Sequence, residues 1–244
     1  MANNRAMLAP TLGTGTLSLE ARVVAAGGTT EVVLQRRLEL VAEAVSERYT
    51  EILSSAIEVA EEGRLFLHVD LEAAPRGLLD GAARLVEMLC ELTLRLTPVR
   101  CRFAMIPKAS EDSARNRRRS SQWFERAFEE AAQQRLFLAA HGFGDLEDRS
   151  LTGVFAGIGV LLWGWTERQA QFVRAVLRDG VVEVLEGDRP AMRFLPERKR
   201  REIAAAFKVS PSVVTECLQA AKVKRFRYEV WAAADMMRRV LESN

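Results

Sequence analysis

The sequence predicts an α+β protein in which a ferredoxin-like or palm-type domain precedes a mostly helical domain with a helix-turn-helix and a β-hairpin. Three observations lead to this prediction. Strand-like and helix-like runs follow one another in the order β-α-β-β-α-β through residue 106. An apolar run over 151–165 separates this part from a helix-rich second part. Near the C-terminus, two short helical repeats are joined across a Ser-Pro pair.

The composition indicates a globular chain with an ordinary core and no encoded metal or disulfide framework. The chain has 244 residues, of which 48% are hydrophobic and 28% charged, and its 35 basic side chains nearly balance 33 acidic ones. This balance neither requires nor excludes a nucleic-acid partner, so the local placement of charge decides. Three scattered cysteines without a CxxC pair and two histidines encode no zinc site. We therefore expect no cofactor and a cytoplasmic location.

The first domain is predicted over 17–150. It follows a flexible tail at 1–16 that lacks the pattern of a signal peptide. Its first elements are a strand from Leu17, a helix over 31–49, a hairpin turning at Gly63, a helix over 77–96 and a strand over 99–106. A helix capped by Ser120 or Ser121, and one more strand, complete the domain.

A connecting helix is predicted over the apolar run 151–165. The run is shorter than the roughly 20 residues that a membrane span needs, which favours a buried helix and no membrane partner. The polar, turn-rich stretch 142–150 before it predicts the exit from the first domain. The second domain, 166–244, is expected to open with a helix capped by Thr166 and to contain the hairpin over 181–195.

Two short helices in the second domain have the spacing of a helix-turn-helix. Ser210 is the expected N-cap of the second helix, and Pro211 falls in its first position, where the missing N–H costs nothing. In the turn, Lys208 stands where such motifs usually carry a glycine with positive φ. The inner positions are Ile203, Ala204, Phe207, Val209, Val214 and Leu218.

The outer surface of this motif is predicted to face DNA. The side chains expected at base edges in a major groove are Ser212, Val213, Thr215, Glu216 and Gln219. Those expected at phosphates are Lys208, Ser210, Lys222, Lys224, Arg225 and Arg227. Two other interpretations stay open, because a solvated helical pair, or a helix-turn-helix that docks on protein, would give part of the same pattern.

The order of several segments makes the chain resemble the SatD family of bacterial proteins over most of residues 20–240. These segments are "LQRRLELVAEAVSERY", "RGLLDGAARLVEMLCEL", "LTPVRCRFAMI", "WFERAFEEAAQQ", "WTERQAQFV" and "REIAAAFKVSPSVVTECLQAA". The resemblance implies an N-terminal domain related to palm-type nucleotidyl cyclases. It also implies a helix-turn-helix like that of sigma-factor region four.

The carboxylates that palm-type cyclases use to bind divalent cations are poorly matched in this chain. The stretch 25–27, Ala-Ala-Gly, stands where the first strand should carry an Asp. Only Asp70 and Glu72 could serve as the later pair, on one strand face, and solvated strand-end charges are the competing interpretation. We therefore expect a non-catalytic first domain that pairs subunits or senses a ligand.

A run of arginines forms a second basic feature, in the first domain. It consists of Arg115, Arg117, Arg118 and Arg119, just before a predicted helix. A phosphate- or ligand-binding loop, a contact to the DNA backbone and a solvated loop are the three interpretations of this run.

The sequence as a whole predicts a DNA-binding transcriptional regulator. We expect it to bind double-stranded DNA as a homodimer, with a small molecule or nucleotide as a possible effector. Two alternatives are a metal-dependent nucleotide-processing enzyme tethered to DNA and a sigma-region-four-like module that binds protein.

Overall fold

The computed structural model of the chain describes residues 15–108, 114–177 and 197–243, and within them it is a mixed α+β structure. The strands are β1 (Thr16–Ala25), β2 (Glu58–Ala60), β3 (Arg64–Asp70), β4 (Arg100–Pro107) and β5 (Leu138–Ala140). The helices are α1 (Glu31–Arg48), α2 (Leu78–Leu96), α3 (Ala114–Gln133), α4 (Asp145–Gly164), α5 (Glu167–Leu177), α6 (Glu197–Ala206), α7 (Pro211–Ala220) and α8 (Val223–Ser243).

The five strands form one sheet in the order β2-β3-β1-β4-β5. The central strand β1 runs antiparallel to β3 and β4, β2 runs antiparallel to β3, and β5 runs parallel to β4. In this register Ser18 stands opposite His68 of β3 and Ile106 of β4. The element order through β4 is therefore the predicted β-α-β-β-α-β, with the predicted hairpin between β2 and β3.

The two faces of the sheet differ in chemistry, because side chains alternate along β1. Leu17, Leu19 and Ala21 are fully buried and belong to the main hydrophobic cluster, together with residues of α1, α2, α4 and α8. Ser18, Glu20 and Arg22 point to the opposite face. Helix α3 covers part of that face through a second, smaller cluster of Ala104, Ala127, Phe128, Ala131 and Ala139.

Helix α8 packs against α2 and α4, far from its neighbours in sequence. Its residues Phe226, Val230 and Met237 lie in the main cluster, and α2 is buried along nearly its whole length as a result. The main cluster therefore crosses the boundary predicted at residue 165. A separate cluster links α5, α6 and α7.

Two predicted boundaries are wrong. Helix α3 begins at Ala114, so Ser120 and Ser121 lie inside it; the arginine run is a good helix former and contains no Gly or Pro to delay the start. Helix α4 begins at Asp145, so most of the predicted exit loop is helical. There the Asp148 carboxylate accepts hydrogen bonds from the backbone N–H of residues 142 and 143, at 3.0 and 2.9 Å, and fixes the preceding turn to the helix.

Two predicted segments, the hairpin over 181–195 and the first 14 residues of the tail, lie outside the described residues. Among the described residues, no helix combines the length and the apolar content needed to cross a bilayer.

Candidate nucleic-acid interface

Residues 207–210 form a tight turn between α6 and α7. The backbone N–H of Val209 donates to the carbonyl of Ala204 at 2.9 Å, and that of Lys208 donates to the carbonyl of Ala205 at 3.2 Å. Lys208 has a φ of 52°. This is the left-handed conformation expected at the position, and for a residue with a Cβ it costs about 1–2 kcal/mol. The turn is therefore formed at a local cost that a glycine would avoid.

Helix α7 begins as predicted. Ser210 has extended backbone angles, φ −78° and ψ 153°, and its hydroxyl oxygen accepts a long hydrogen bond of 3.4 Å from the N–H of Val213. Pro211 occupies the first helical position. The Ser210 and Ser212 hydroxyl oxygens lie 2.7 Å apart. The Ser210 hydroxyl therefore caps the N-terminus of α7 and also contacts the Ser212 hydroxyl.

The α6–α7 pair has its own small core, which α5 completes. Val214 is 0% exposed, and Ile203 and Ala204 are buried beside it. From α5, the ring of Phe172 packs on that of Phe207, with centroids 4.6 Å apart. All the predicted inner positions lie in this cluster. The apolar spacing in the sequence thus identified the inner face of both helices.

The exposed face of α7 carries a polar stripe. Ser212, Glu216 and Gln219 are exposed, and their i, i+4, i+7 spacing places them on one side of the helix. Val213 and Thr215, also predicted at base edges, are half-buried. The Thr215 hydroxyl donates to the carbonyl of Pro211 at 3.0 Å, so this donor is turned back onto its own helix. The exposed polar stripe therefore contains three of the five side chains predicted at base edges.

Four of the predicted phosphate-contacting cations are exposed at the two ends of α7: Lys208, Lys222, Lys224 and Arg225. Lys222, between α7 and α8, has a positive φ of 53° like Lys208. The Arg225 Nε lies 3.2 Å from Glu229 Oε1, which holds the guanidinium along the first turns of α8. Arg227 differs from the prediction, since it is half-buried and burial lowers the pKa of its guanidinium.

The predicted site omitted a basic group at the start of α6. Residues 198–201 are Arg-Lys-Arg-Arg, in the first turns of that helix, and the Arg198 side chain is 92% exposed. Cations at a helix N-terminus oppose the helix dipole, so this placement disfavours the isolated helix. An anion bound there would remove the penalty. The signal was visible in the sequence as a basic run directly before the apolar repeat.

Trp165 connects this region to the rest of the molecule. Its Nε1 donates to the carbonyl of Ala221 at 2.8 Å, and its ring lies edge-on to Phe226, with centroids 4.9 Å apart. The residue after α4 thereby holds the junction between α7 and α8.

The predicted cation-binding carboxylates do not share a strand face. Asp70 ends β3 and its Oδ1 accepts from the Glu72 N–H at 3.1 Å, whereas Glu72 is exposed in the following 3₁₀ turn. The first strand does carry a carboxylate, Glu20, which the sequence reasoning missed although Ser18, Glu20 and Arg22 alternate with apolar residues. It is 3% exposed and lies 2.7 Å from the Arg22 Nε. In the part of the chain that the structure describes, no group of three His, Cys, Asp or Glu side chains could hold a metal ion.

The predicted arginine loop is part of helix α3. Arg117, Arg118 and Arg119 are exposed on it, and the guanidinium of Arg119 lies 4.6 Å from the Trp123 ring centroid. Arg115 lies in the first turn of the same helix. The arginine run therefore belongs to a helix and not to a loop.

The α6–α7 pair thus offers an exposed polar stripe with cations at both of its ends and at the start of the preceding helix. Hydrogen-bonding side chains on one helix face and flanking cations are the two kinds of contact by which proteins bind duplex nucleic acid. Comparison of the chain with models of protein families, with curated proteins and with solved structures finds no match.

Proposed function

We propose that the chain is a DNA-binding transcriptional regulator and that α6, residues 207–210 and α7 form its helix-turn-helix. The observation that carries the proposal is the turn, in which a left-handed Lys208 is followed by the capping Ser210 and by Pro211. A non-glycine residue in this conformation is unfavourable by itself, so the surrounding packing must enforce it. The second helix of such motifs enters the major groove with its N-terminal residues at the base edges.

The charges around α7 support the same geometry. In a docked motif the first helix crosses the DNA backbone, which would bring the cations at 198–201 next to phosphates. Lys208 and Lys222 would contact phosphates at either end of α7. Of the polar stripe, Gln219 can pair with adenine and Glu216 can accept from the cytosine amino group. The proposed base contacts are therefore Ser212, Glu216 and Gln219, with Val213 and Thr215 in supporting positions.

We propose that the N-terminal part is a ferredoxin-like layer that pairs two subunits or senses a ligand. The strand order β2-β3-β1-β4 with antiparallel neighbours supports this assignment, as does the resemblance of the sequence to the SatD family. In a homodimer built on this layer, the two recognition helices would contact half-sites about one helical turn apart, roughly 34 Å.

The test is duplex binding by the full-length chain. Selection from random duplexes should enrich one sequence, and its affinity should fall steeply with salt. The double variant Lys222→Gln/Arg225→Gln should lower the slope of log affinity against log salt by about two. Arg36→Gln/Arg239→Gln removes the same charge from exposed positions on α1 and α8 and should leave the slope unchanged.

Equal affinity for DNA in the first double variant and in the unsubstituted chain would overturn the proposed interface. Absence of duplex binding at low salt, together with retention of another protein on the immobilised chain, would favour the protein-docking alternative.

A further inference from the structure

A cavity of about 340 Å³ lies between the polar face of the sheet and α3. Its floor is formed by alternate residues of β1, β3 and β4, and its wall is formed by the N-terminal half of α3. This volume is within the range of small-molecule binding sites, about 300–1,000 Å³. The cavity lies on the sheet, whereas the proposed DNA contacts lie on α6, α7 and α8, so it is a separate site.

The cavity exists because α3 covers only one side of the sheet face. Over β4 and β5, the small side chains of Ala104 and Ala139 let the helix approach closely. Toward β1 and β3, the larger side chains of Arg22, Phe66 and His68 keep the helix away from the sheet. The cavity thus results from the difference in side-chain size between β4 and β5 on one side and β1 and β3 on the other.

The two acidic residues of the lining are already paired. Arg22 donates through Nη2 to Glu125 Oε1 at 2.6 Å and through Nε to Glu20 Oε1 at 2.7 Å. The hydrogen bond that Glu125 accepts from Arg22 holds the pKa of this carboxyl below its usual range. Arg22 thus has two carboxylate partners, and neither acid is left to attract a cation from solution. The charge that a ligand would meet comes from the other lining residues.

Two cations at the opposite end of the cavity have no acidic partner among the residues that the structure describes. Lys108 and Arg117 line the cavity, and neither forms an ion pair with any residue that the structure describes. Lys108 follows Ile106 by two residues at the end of β4, so both lie on the polar face. Ser18, Ser120 and Ser121 also line the cavity, and the Ser18 Oγ lies 3.0 Å from His68 Nδ1. The end of the cavity at Lys108 and Arg117 therefore gathers positive charge.

The middle of the cavity is apolar. Phe66 of β3 and Phe124 of α3 are half-buried and line it, with the buried Ile106 below. An inorganic anion would use only the basic end, while an uncharged aromatic molecule would leave that end empty. A ligand that fits the whole lining therefore carries both an anionic group and an aromatic ring.

We propose that this cavity binds a small phosphate monoester carrying an aromatic ring, with its phosphate on Lys108 and Arg117 and its ring against Phe66 and Phe124. Guanidinium and ammonium groups are the usual protein partners of phosphate, and hydrogen bonds to charged groups are about twice as strong as neutral ones. The inference goes beyond DNA binding and does not depend on it.

Calorimetric titration of the full-length chain tests the proposal with phenyl phosphate and adenosine monophosphate as probes. We expect saturable binding of one molecule per chain. Phenol, adenosine and inorganic phosphate, which each lack one half, should bind about tenfold more weakly or worse. Lys108→Gln/Arg117→Gln should weaken binding of both probes by about tenfold or more. Arg126→Gln, at an exposed position of the same helix outside the lining, is the matched control and should bind normally.

The Phe66→Leu variant checks the ring contact. It should weaken binding of phenyl phosphate and leave the weak binding of inorganic phosphate unchanged. The thermal midpoint of each variant should stay within about 2 °C of the unsubstituted chain, which excludes unfolding as the cause.

Three results would overturn the assignment: no binding of either probe, equal binding by the Lys108→Gln/Arg117→Gln variant, or equal binding of benzoate, which would mean that the site does not select phosphate. None of these measurements involves DNA, so they leave the proposed DNA interface untouched.

Discussion

Replacement of Lys208 by glycine should raise the stability of the chain and lower the salt dependence of its affinity for DNA. The residue has a φ of 52°, which costs a side chain with a Cβ about 1–2 kcal/mol. Glycine removes that cost but gives the unfolded chain more freedom, which costs about 0.5–1 kcal/mol. The net expectation is a gain of about 0.5–1 kcal/mol. For a chain of this length, that corresponds to a rise of about 2 °C in the thermal midpoint.

The same substitution removes one proposed phosphate contact. The slope of log affinity against log salt should therefore fall by about 0.9, with no change in the preferred DNA sequence. Lys208→Gln is the matched control, since it removes the charge and keeps the Cβ. It should lose the same amount of salt dependence without becoming more stable. Thermal unfolding and fluorescence anisotropy at several salt concentrations measure the two effects.

A loss of stability greater than about 1 kcal/mol in Lys208→Gly would refute the left-handed turn, because glycine is at no disadvantage in that conformation. An unchanged salt slope in both variants would refute the phosphate contact alone. The two parts of the reasoning can thus fail independently.

Three further predictions concern stability and reactivity. Gly81→Ala should destabilise the chain by about 1–3 kcal/mol in urea, because the added methyl meets the Leu71 carbonyl; Gly153→Ala, with open space around it, should stabilise by about 0.5–1 kcal/mol. Glu91→Ala should cost about 3–5 kcal/mol in the same assay, since its buried carboxylate pairs with two arginines and accepts from a tyrosine hydroxyl. A mild alkylating reagent should modify the partly exposed Cys217 in the native chain and spare the buried Cys90 and Cys101; burial raises the pKa of all three thiols, so access of the reagent decides.

Each of these predictions has a clear contrary result. Unchanged or increased stability of Gly81→Ala would mean that α2 is not packed as closely as described, and a loss in Gly153→Ala would contradict the open space at that position. A loss below about 1 kcal/mol for Glu91→Ala would mean that water takes over the role of the carboxylate. Modification of all three thiols at equal rates would contradict the burial of two of them.

The sequence predicted well those structural features that depend on residues close together in the chain. The Ser210 cap, Pro211 in the first position and the positive φ of Lys208 all depend on residues within a few positions, and each was found as expected. The inner positions of α6 and α7 follow from helical periodicity for the same reason. Features of this kind need no knowledge of the remainder of the chain.

Contacts between distant segments were the part that could not be predicted. The packing of α8 on α2 joins residues more than a hundred positions apart, and the apolar period of α8 gives no sign of its partner. The role of Glu20 was missed because its partner Arg22 also donates to Glu125, and that contact requires the position of α3. The start of α3 was missed because a dense run of arginines resembles a solvated loop in sequence.

The hydrogen bond from Trp165 to the carbonyl of Ala221 has a consequence for the spacing of half-sites in the proposed DNA complex. Trp165, directly after α4, contacts the segment that leads out of α7, and α8, which follows that segment, packs on α2 and α4. In the proposed dimer, the separation of the two half-sites would then be dictated by how the sheet layers associate and not by a flexible tether. In that case the proposed dimer should bind DNA with altered half-site spacing more weakly, because the recognition helices cannot reorient to fit it.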